Sequence, residues 1–196
     1  MSASAGSSCR AVTLASAAAV LRRSAISGPI SAALRRWRST DRMSSAFEVR
    51  PITPTIGGEV SGIDLSQDLS DKTIADLHTA FLDRQVLFFR DQDITVDQHI
   101  AFGRHFGDLY VNLAAPPYKD GDAVYREVIP IYADQDTPRA GGEVWHSDAS
   151  CDPEPPSASI MMLHELPPSG GDTLFAIMYA AYDALSEAMQ GCLVGV

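Results

Sequence analysis

The sequence has few cysteines and no long hydrophobic run. Its three cysteines, Cys9, Cys151 and Cys192, are odd in number and unevenly spaced, which argues against a disulfide framework and against a cysteine-based zinc cluster. No apolar run approaches the roughly 20 residues that a membrane-spanning helix needs. We therefore predict a protein of a reducing compartment that has no membrane partner.

Basic residues are scarce after residue 42. The first 42 residues hold seven arginines and one acidic residue, whereas the remainder holds 8 basic and 24 acidic residues. Since phosphate binding needs clustered Lys and Arg, the acidic remainder argues against a nucleic-acid partner. With 45% hydrophobic and 20% charged residues in the whole chain, the composition is typical of one globular domain.

Residues 1–45 differ in composition from the rest and are rich in Ala, Ser and Arg. An N-terminus of this kind with almost no acidic residue is typical of a mitochondrial or chloroplast transit peptide, and it predicts a mitochondrial location. The apolar run from Ala11 to Leu21 fits a secretory signal less well, because arginines continue beyond it. In the alternative interpretation the segment is untranslated, Met43 starts the protein and the product is cytoplasmic.

The pattern of residues 46–196 predicts short strands and a few helices. The stretch FEVRPITPTIGGEVSGIDL indicates short strands near a sheet edge. Ser70 is a candidate N-cap for a helix over about 71–83, and a second helix starts after Thr95 and ends near Gly107. QVLFFR, between these helices, has the character of a buried strand.

The second half of the chain is less regular. Residues 112–142 are poorly periodic and hold several prolines and glycines, which favours a functional or mobile loop. Strand character returns in EVWHSDAS, in SASIMMLHEL and after PPSGGD, and MYAAYDALSEAMQGCL predicts one helix.

A histidine and an aspartate lie two residues apart in EVWHSDAS. In a strand, His146 and Asp148 would project from the same face, so that an imidazole nitrogen and a carboxylate oxygen converge on one point. Such a pair suits Fe(II) in a site of two histidines and one carboxylate, and it also suits zinc. Taken alone, the pair is weak evidence of a site, because a solvated His and Asp on a surface strand explain the pattern better.

Three separated stretches carry a wider resemblance. In order and spacing, VLFFRDQDITVDQHIAFGRHFGDL, WHSDASCDPEPPSASIMMLHELPPSGGDTLFA and MYAAYDALS resemble the taurine/2-oxoglutarate dioxygenase (TauD/TfdA-like) family. The resemblance runs from about Phe47 to the C-terminus. It implies a mainly β fold with flanking helices, a double-stranded β-helix or jelly roll, of which residues 46–196 would be the N-terminal part.

The resemblance also implies cofactors and site residues. The family uses Fe(II), with 2-oxoglutarate and dioxygen as cosubstrates, and matched by position His146 and Asp148 would be metal ligands. Thr173, in GGDT, would contact a carboxylate of 2-oxoglutarate, and Gly170 and Gly171 would let the backbone turn before it. The histidines at 78, 99 and 105, on the predicted helices, are interpreted as surface or cap residues, and His164 as a strand residue without a metal role.

The chain departs from the family in two respects. The second histidine ligand and the arginine that binds 2-oxoglutarate come well over a hundred residues after the His-x-Asp in the family, but only 48 residues follow Asp148 here. We therefore expect a truncated jelly roll that is inactive as this chain. In addition, Asn112, Ala115 and Gly142 stand where taurine-binding members place sulfonate ligands, so a small organic acid is the predicted substrate, with Asn112 and Tyr118 lining its pocket.

Two other function classes stay open from the residues. A zinc-dependent hydrolase would need a third protein ligand and a general base. A catalytically silent fragment would act, if at all, by binding a partner, and the sequence leaves homo-oligomer formation open.

Overall fold

The computed structural model describes residues 11–16, 46–134, 136–137, 144–165, 167 and 169–194. Its strands are β1 Ala11–Ser16, β2 Glu48–Pro51, β3 Gly58–Ser61, β4 Val86–Arg90, β5 Tyr118–Asp120, β6 Ala123–Tyr125 and β7 Ala158–Leu163. Its helices are α1 Asp71–Arg84, α2 Val96–Arg104, α3 Met178–Asp183 and α4 Glu187–Leu193. Within these ranges, none of the helices is both long enough and apolar enough to cross a bilayer.

One five-stranded sheet organises the described residues, with the strand order β2-β3-β4-β1-β7. Its neighbours pair antiparallel except for β3 and β4, which are parallel. Parallel neighbours need a crossover connection, and α1 lies in the connection between these two strands. β5 and β6 form a separate two-stranded ribbon. This is the predicted mainly β arrangement with helices, and the edge position of β2 confirms the prediction for its segment.

One interior strand of the sheet, β1, comes from the segment interpreted as a leader. β1 pairs on one side with β4, where Leu14 lies opposite Leu87, and on the other with β7, where Leu14 lies opposite Ile160. Val12 and Leu14 are fully buried. Of residues 1–45 the structure describes only 11–16, and a transit peptide or untranslated leader stays a prediction.

The core lies where α1 and α2 cover this sheet. Its fully buried members are apolar side chains of β1, β4 and α1: Phe89, Leu14, Leu77, Leu87 and Val12. Phe102 of α2 meets Phe89 edge to face, with 5.6 Å between the ring centroids. This edge-to-face geometry is favourable for aromatic pairs, and it fixes α2 on the sheet beside β4.

The two longer helices confirm the predicted starts. Ser70 Oγ accepts a hydrogen bond from the Thr73 amide at the start of α1. At the start of α2, Thr95 Oγ1 accepts from the Gln98 amide, and the Gln98 side chain accepts from the Thr95 amide. This reciprocal capping box satisfies two amides that the helix itself leaves unpaired.

Replacing Thr95 by Ala is expected to lower the free energy of unfolding by about 1 kcal/mol, because the Gln98 amide loses its acceptor. Urea denaturation followed by circular dichroism measures the change. Thr55→Ala, at an exposed turn position, is the matched control and should shift the midpoint by much less. An equal shift in both variants would contradict a capping role for Thr95.

Three predictions about the second half of the chain are wrong in detail. Residues 144–150 form no strand, since residues 148–151 make a turn in which Ala149 has a φ of 46°. The segment after GGD is irregular as far as Ile177, and no strand in the described ranges pairs with it. The predicted last helix is two helices, because Ser186 Oγ accepts from the Met189 amide and caps a new start there.

Candidate metal site

His146 and Asp148 lie side by side although their segment is not a strand. His146 Nε2 is 3.2 Å from Asp148 Oδ1, and each side chain is 51% exposed. Two ligand atoms about 2.1 Å from one ion, as in zinc sites, and roughly 90–110° apart are separated by about 3.0–3.4 Å. The observed separation therefore fits two neighbouring ligands of one divalent ion. The predicted convergence of the two groups is present, and it is produced by a turn.

The histidine is oriented through its other ring nitrogen. His146 Nδ1 is 2.7 Å from the carbonyl oxygen of Val144, and because a carbonyl only accepts, Nδ1 must carry the hydrogen. In a neutral ring this leaves a lone pair on Nε2, aimed at a carboxylate oxygen. Two acceptors at this distance need a proton or a metal cation between them. Metal-binding histidines commonly donate their second N–H in this way.

The opposite side of the carboxylate is also held. Ser159 Oγ, on β7, donates to Asp148 Oδ2 at 2.7 Å. Ser159 was not predicted from the sequence. A possible signal was its position in a predicted strand close behind the motif, but the pattern did not reveal which loop the strand faces.

No third ligand completes the site in the part of the chain that the structure describes. Within it, no group of three or more His, Cys, Asp or Glu side chains could hold a metal ion. The imidazole nitrogen and the carboxylate oxygen are therefore suitable ligand types for Fe(II) or zinc, but they are only two protein ligands. An iron site of two histidines and one carboxylate and a zinc hydrolase site both need three protein ligands, so the pair by itself does not distinguish the two metals.

Tyr110 is a second contact that sequence reasoning missed. Its hydroxyl donates to Asp152 Oδ2, and this hydrogen bond to the carboxylate raises the pKa of Tyr110 above its usual value. The Asp152 amide in turn donates to the carbonyl of Ala149. The loop after α2 is thereby connected to the turn that carries Asp148.

Thr173 lies in the irregular segment behind a glycine pair. Gly170 and Gly171 have φ values of 76° and 74°, a backbone region that favours glycine, as the sequence predicted. Phe175, two residues after Thr173, packs edge to face against Phe88 of β4. Within the described ranges no hydrogen bond connects Thr173 with the His146–Asp148 pair, and its contact with 2-oxoglutarate stays a prediction.

The two predicted substrate residues have local partners. Asn112 Oδ1 accepts from the Ala114 amide at 2.9 Å and closes a turn. Tyr118 lies on β5, where its ring is 6.1 Å from that of Tyr125. Gly142, the third position compared with taurine-binding proteins, lies outside the described residues. A substrate role for Asn112 and Tyr118 stays a prediction.

Of the other histidines, His99 departs from its surface interpretation. It is half-buried, and its Nε2 is 3.2 Å from the carbonyl oxygen of Ile160 on β7, to which it must donate. Burial lowers the pKa of His99 below its usual value. His105 is the C-cap of α2, as expected, and His164 is exposed.

A cavity of about 620 Å³ lies apart from the pair and is lined by Arg104, Gly107, Asp108, Leu109, Val111 and Glu127. None of these is a predicted ligand of the metal, of 2-oxoglutarate or of the substrate. The candidate site lies instead at His146 and Asp148, where donor atoms converge, because cavity size by itself indicates no chemistry.

Comparison with known proteins identifies related proteins with named activities. Residues 48–194 match the family described as "Taurine catabolism dioxygenase TauD, TfdA family". The chain is 36% identical over 151 residues to an (S)-phenoxypropionate/alpha-ketoglutarate-dioxygenase of Sphingobium herbicidovorans, covering 76% of this chain and 51% of the relative. It is 34% identical over 160 residues to an alpha-ketoglutarate-dependent 2,4-dichlorophenoxyacetate dioxygenase of Cupriavidus pinatubonensis, covering 74% and 55%.

A solved structure supports the same relationship. A Burkholderia xenovorans protein, provisionally assigned as an alpha-ketoglutarate-dependent taurine dioxygenase, superposes with a TM-score of 0.61 at 31% identity and covers 76% of this chain and 53% of its own. The chain thus spans about half the length of these relatives. β1 lies outside the matched residues, whereas the His146–Asp148 pair lies inside them. The chain belongs to the taurine catabolism dioxygenase TauD, TfdA family.

Proposed function

We propose that this chain is the N-terminal part of an Fe(II)- and 2-oxoglutarate-dependent dioxygenase that hydroxylates a small organic acid. The observation that carries the proposal is the His146–Asp148 pair, in which an imidazole lone pair faces a carboxylate oxygen at 3.2 Å. This arrangement suits a divalent cation between the two atoms, and the pair lies within the residues that match the dioxygenase family.

Each predicted residue has a role in this proposal. His146 Nε2 and Asp148 Oδ1 would hold Fe(II), and the Thr173 hydroxyl would bind a carboxylate of 2-oxoglutarate. Bound iron and 2-oxoglutarate would supply the activation of dioxygen and the oxidation of a substrate C–H bond. The chain's own contribution is orientation: the Val144 carbonyl fixes the imidazole, and the glycine pair turns the backbone before Thr173.

The substrate class follows from the relatives. Their names specify phenoxypropionate, 2,4-dichlorophenoxyacetate and, for a relative from Saccharomyces cerevisiae, sulfonate, all of which are small organic acids. We propose the same class for this chain, with Asn112 and Tyr118 near the substrate. Taurine itself is disfavoured, because Gly142 has no side chain to bind a sulfonate.

We further propose that residues 46–196 are part of a jelly roll and that the 196-residue chain is catalytically silent. Its described part provides two protein ligands and no third. With Fe(II), ascorbate, 2-oxoglutarate and a phenoxyacetate, we expect no succinate above the level of an iron-only control. Succinate formation that depends on both the protein and the organic acid would contradict this prediction.

A mitochondrial location is proposed from the composition of residues 1–45, which would stay attached after import because they contain β1, with a cytoplasmic product starting at Met43 as the alternative. Fusion of a fluorescent protein to the C-terminus of the full chain, beside the same fusion starting at Met43, separates the two. Mitochondrial fluorescence of the full-chain fusion alone supports the proposal. Diffuse fluorescence of both fusions contradicts it.

A further inference from the structure

The Asp148 carboxylate can bind a cation in more than one way, and it lies in an exposed turn. Asp148 begins the turn of residues 148–151, its side chain is half exposed, and the next residue has a positive φ of 46°. A free carboxylate can rotate and can present either oxygen, or both, to a cation. Something outside the turn must therefore fix the carboxylate if only one oxygen is to lie beside His146.

Ser159 supplies that restraint from the sheet. Its hydroxyl donates to Asp148 Oδ2 at 2.7 Å, while Oδ1 lies 3.2 Å from His146 Nε2. One oxygen is thus taken by the serine and the other remains beside the imidazole. Hydrogen bonds of this kind to a ligating carboxylate orient it and tune its affinity for metal.

The strand that carries Ser159 is held by two neighbouring elements, β1 and α2. Ser159 lies on β7 opposite Ala15 of β1 in the antiparallel ladder. The next carbonyl along β7, that of Ile160, accepts a hydrogen bond from the half-buried His99 of α2. The hydroxyl therefore projects from a strand that is fixed by a second strand and a helix. Its hydrogen bond to Asp148 connects the exposed turn to the sheet.

We infer that Ser159 is a positioning residue of the metal site, which reserves Oδ2 of Asp148 and leaves Oδ1 as a single-oxygen ligand. This inference rests on the proposed function, because it concerns the affinity of the same site for metal. It adds a residue that touches neither the metal nor the cosubstrate.

The experiment is a titration of the full chain with Mn(II), followed by the electron paramagnetic resonance signal of the free ion. Ser159→Ala is expected to weaken Mn(II) binding about 10- to 100-fold. Ser159→Thr keeps the hydroxyl, so its Mn(II) affinity should stay within about 3-fold of wild type. Ser157→Ala, at an exposed position just before β7, is the matched control and should bind like wild type.

Ser159→Val is the control for a change in folding. Val and Thr have nearly the same shape and both suit a strand, so only the hydroxyl distinguishes the two variants. Equal Mn(II) affinity of the Val and Thr variants, or of Ser159→Ala and wild type, would overturn the role of Ser159 while leaving the metal site intact. Absence of Mn(II) binding by the wild-type chain would instead overturn the proposed function, and the role of Ser159 with it.

Discussion

Replacing Leu14 by Asp is expected to abolish cooperative folding of the sheet. Leu14 is fully buried and lies between Leu87 of β4 and Ile160 of β7. Truncating a buried leucine alone costs about 2–5 kcal/mol, and a carboxylate without a partner in this position adds a further desolvation cost. Since a domain of this size is stable by only about 5–15 kcal/mol, the combined loss approaches or exceeds the whole margin.

Urea denaturation and near-ultraviolet circular dichroism of the full chain measure this effect. Leu113→Asp, at a leucine that is 88% exposed, introduces the same charge and should leave the midpoint nearly unchanged. A variant without residues 1–45 should lose the sheet as Leu14→Asp does, because it lacks β1. If Leu14→Asp keeps the wild-type midpoint, β1 is not an interior strand of the folded protein. If the variant without residues 1–45 keeps it, these residues are a leader and not part of the sheet.

His146→Ala and Asp148→Ala are each expected to abolish binding of a divalent metal. The described residues provide two donor atoms, so each variant leaves one. A single protein ligand does not hold a divalent ion against competition from water. Asp148→Asn keeps the shape of the side chain but removes its charge, and we expect at least a 10-fold loss of affinity from it.

Calorimetric titration with Co(II) compares these variants with wild type. His164→Ala removes another exposed histidine, away from the pair in sequence, and should bind Co(II) like wild type. Circular dichroism should show all four variants to be folded, since His146 and Asp148 are half exposed. Unchanged Co(II) stoichiometry in His146→Ala and Asp148→Ala would show that the pair has no metal role.

Local signals made the helices predictable. Ser70 and Thr95 cap α1 and α2 through residues three positions later, and this short-range chemistry is visible in the sequence. The buried strand at Val86–Arg90 was equally clear from its apolar run. The His-x-Asp motif also predicted that His146 and Asp148 would lie side by side, as they do, although the backbone between them turns instead of extending.

Long-range pairing was not predictable. Residues 11–16 have the composition of a targeting segment, and their place between β4 and β7 depends on partners more than 70 positions away. The contacts Ser159–Asp148 and Tyr110–Asp152 likewise join residues 11 and 42 positions apart. No periodicity marks such pairs, because they arise only when the strand and the two loops have been brought together.

The most direct test of the proposed site is the visible absorption of the full chain under anaerobic conditions with excess Fe(II) and 2-oxoglutarate. If His146 and Asp148 hold iron together with 2-oxoglutarate, a charge-transfer band appears for the wild-type chain and is absent from His146→Ala. A wild-type spectrum without the band, or the same band in both proteins, would contradict the assignment of this pair as the iron site.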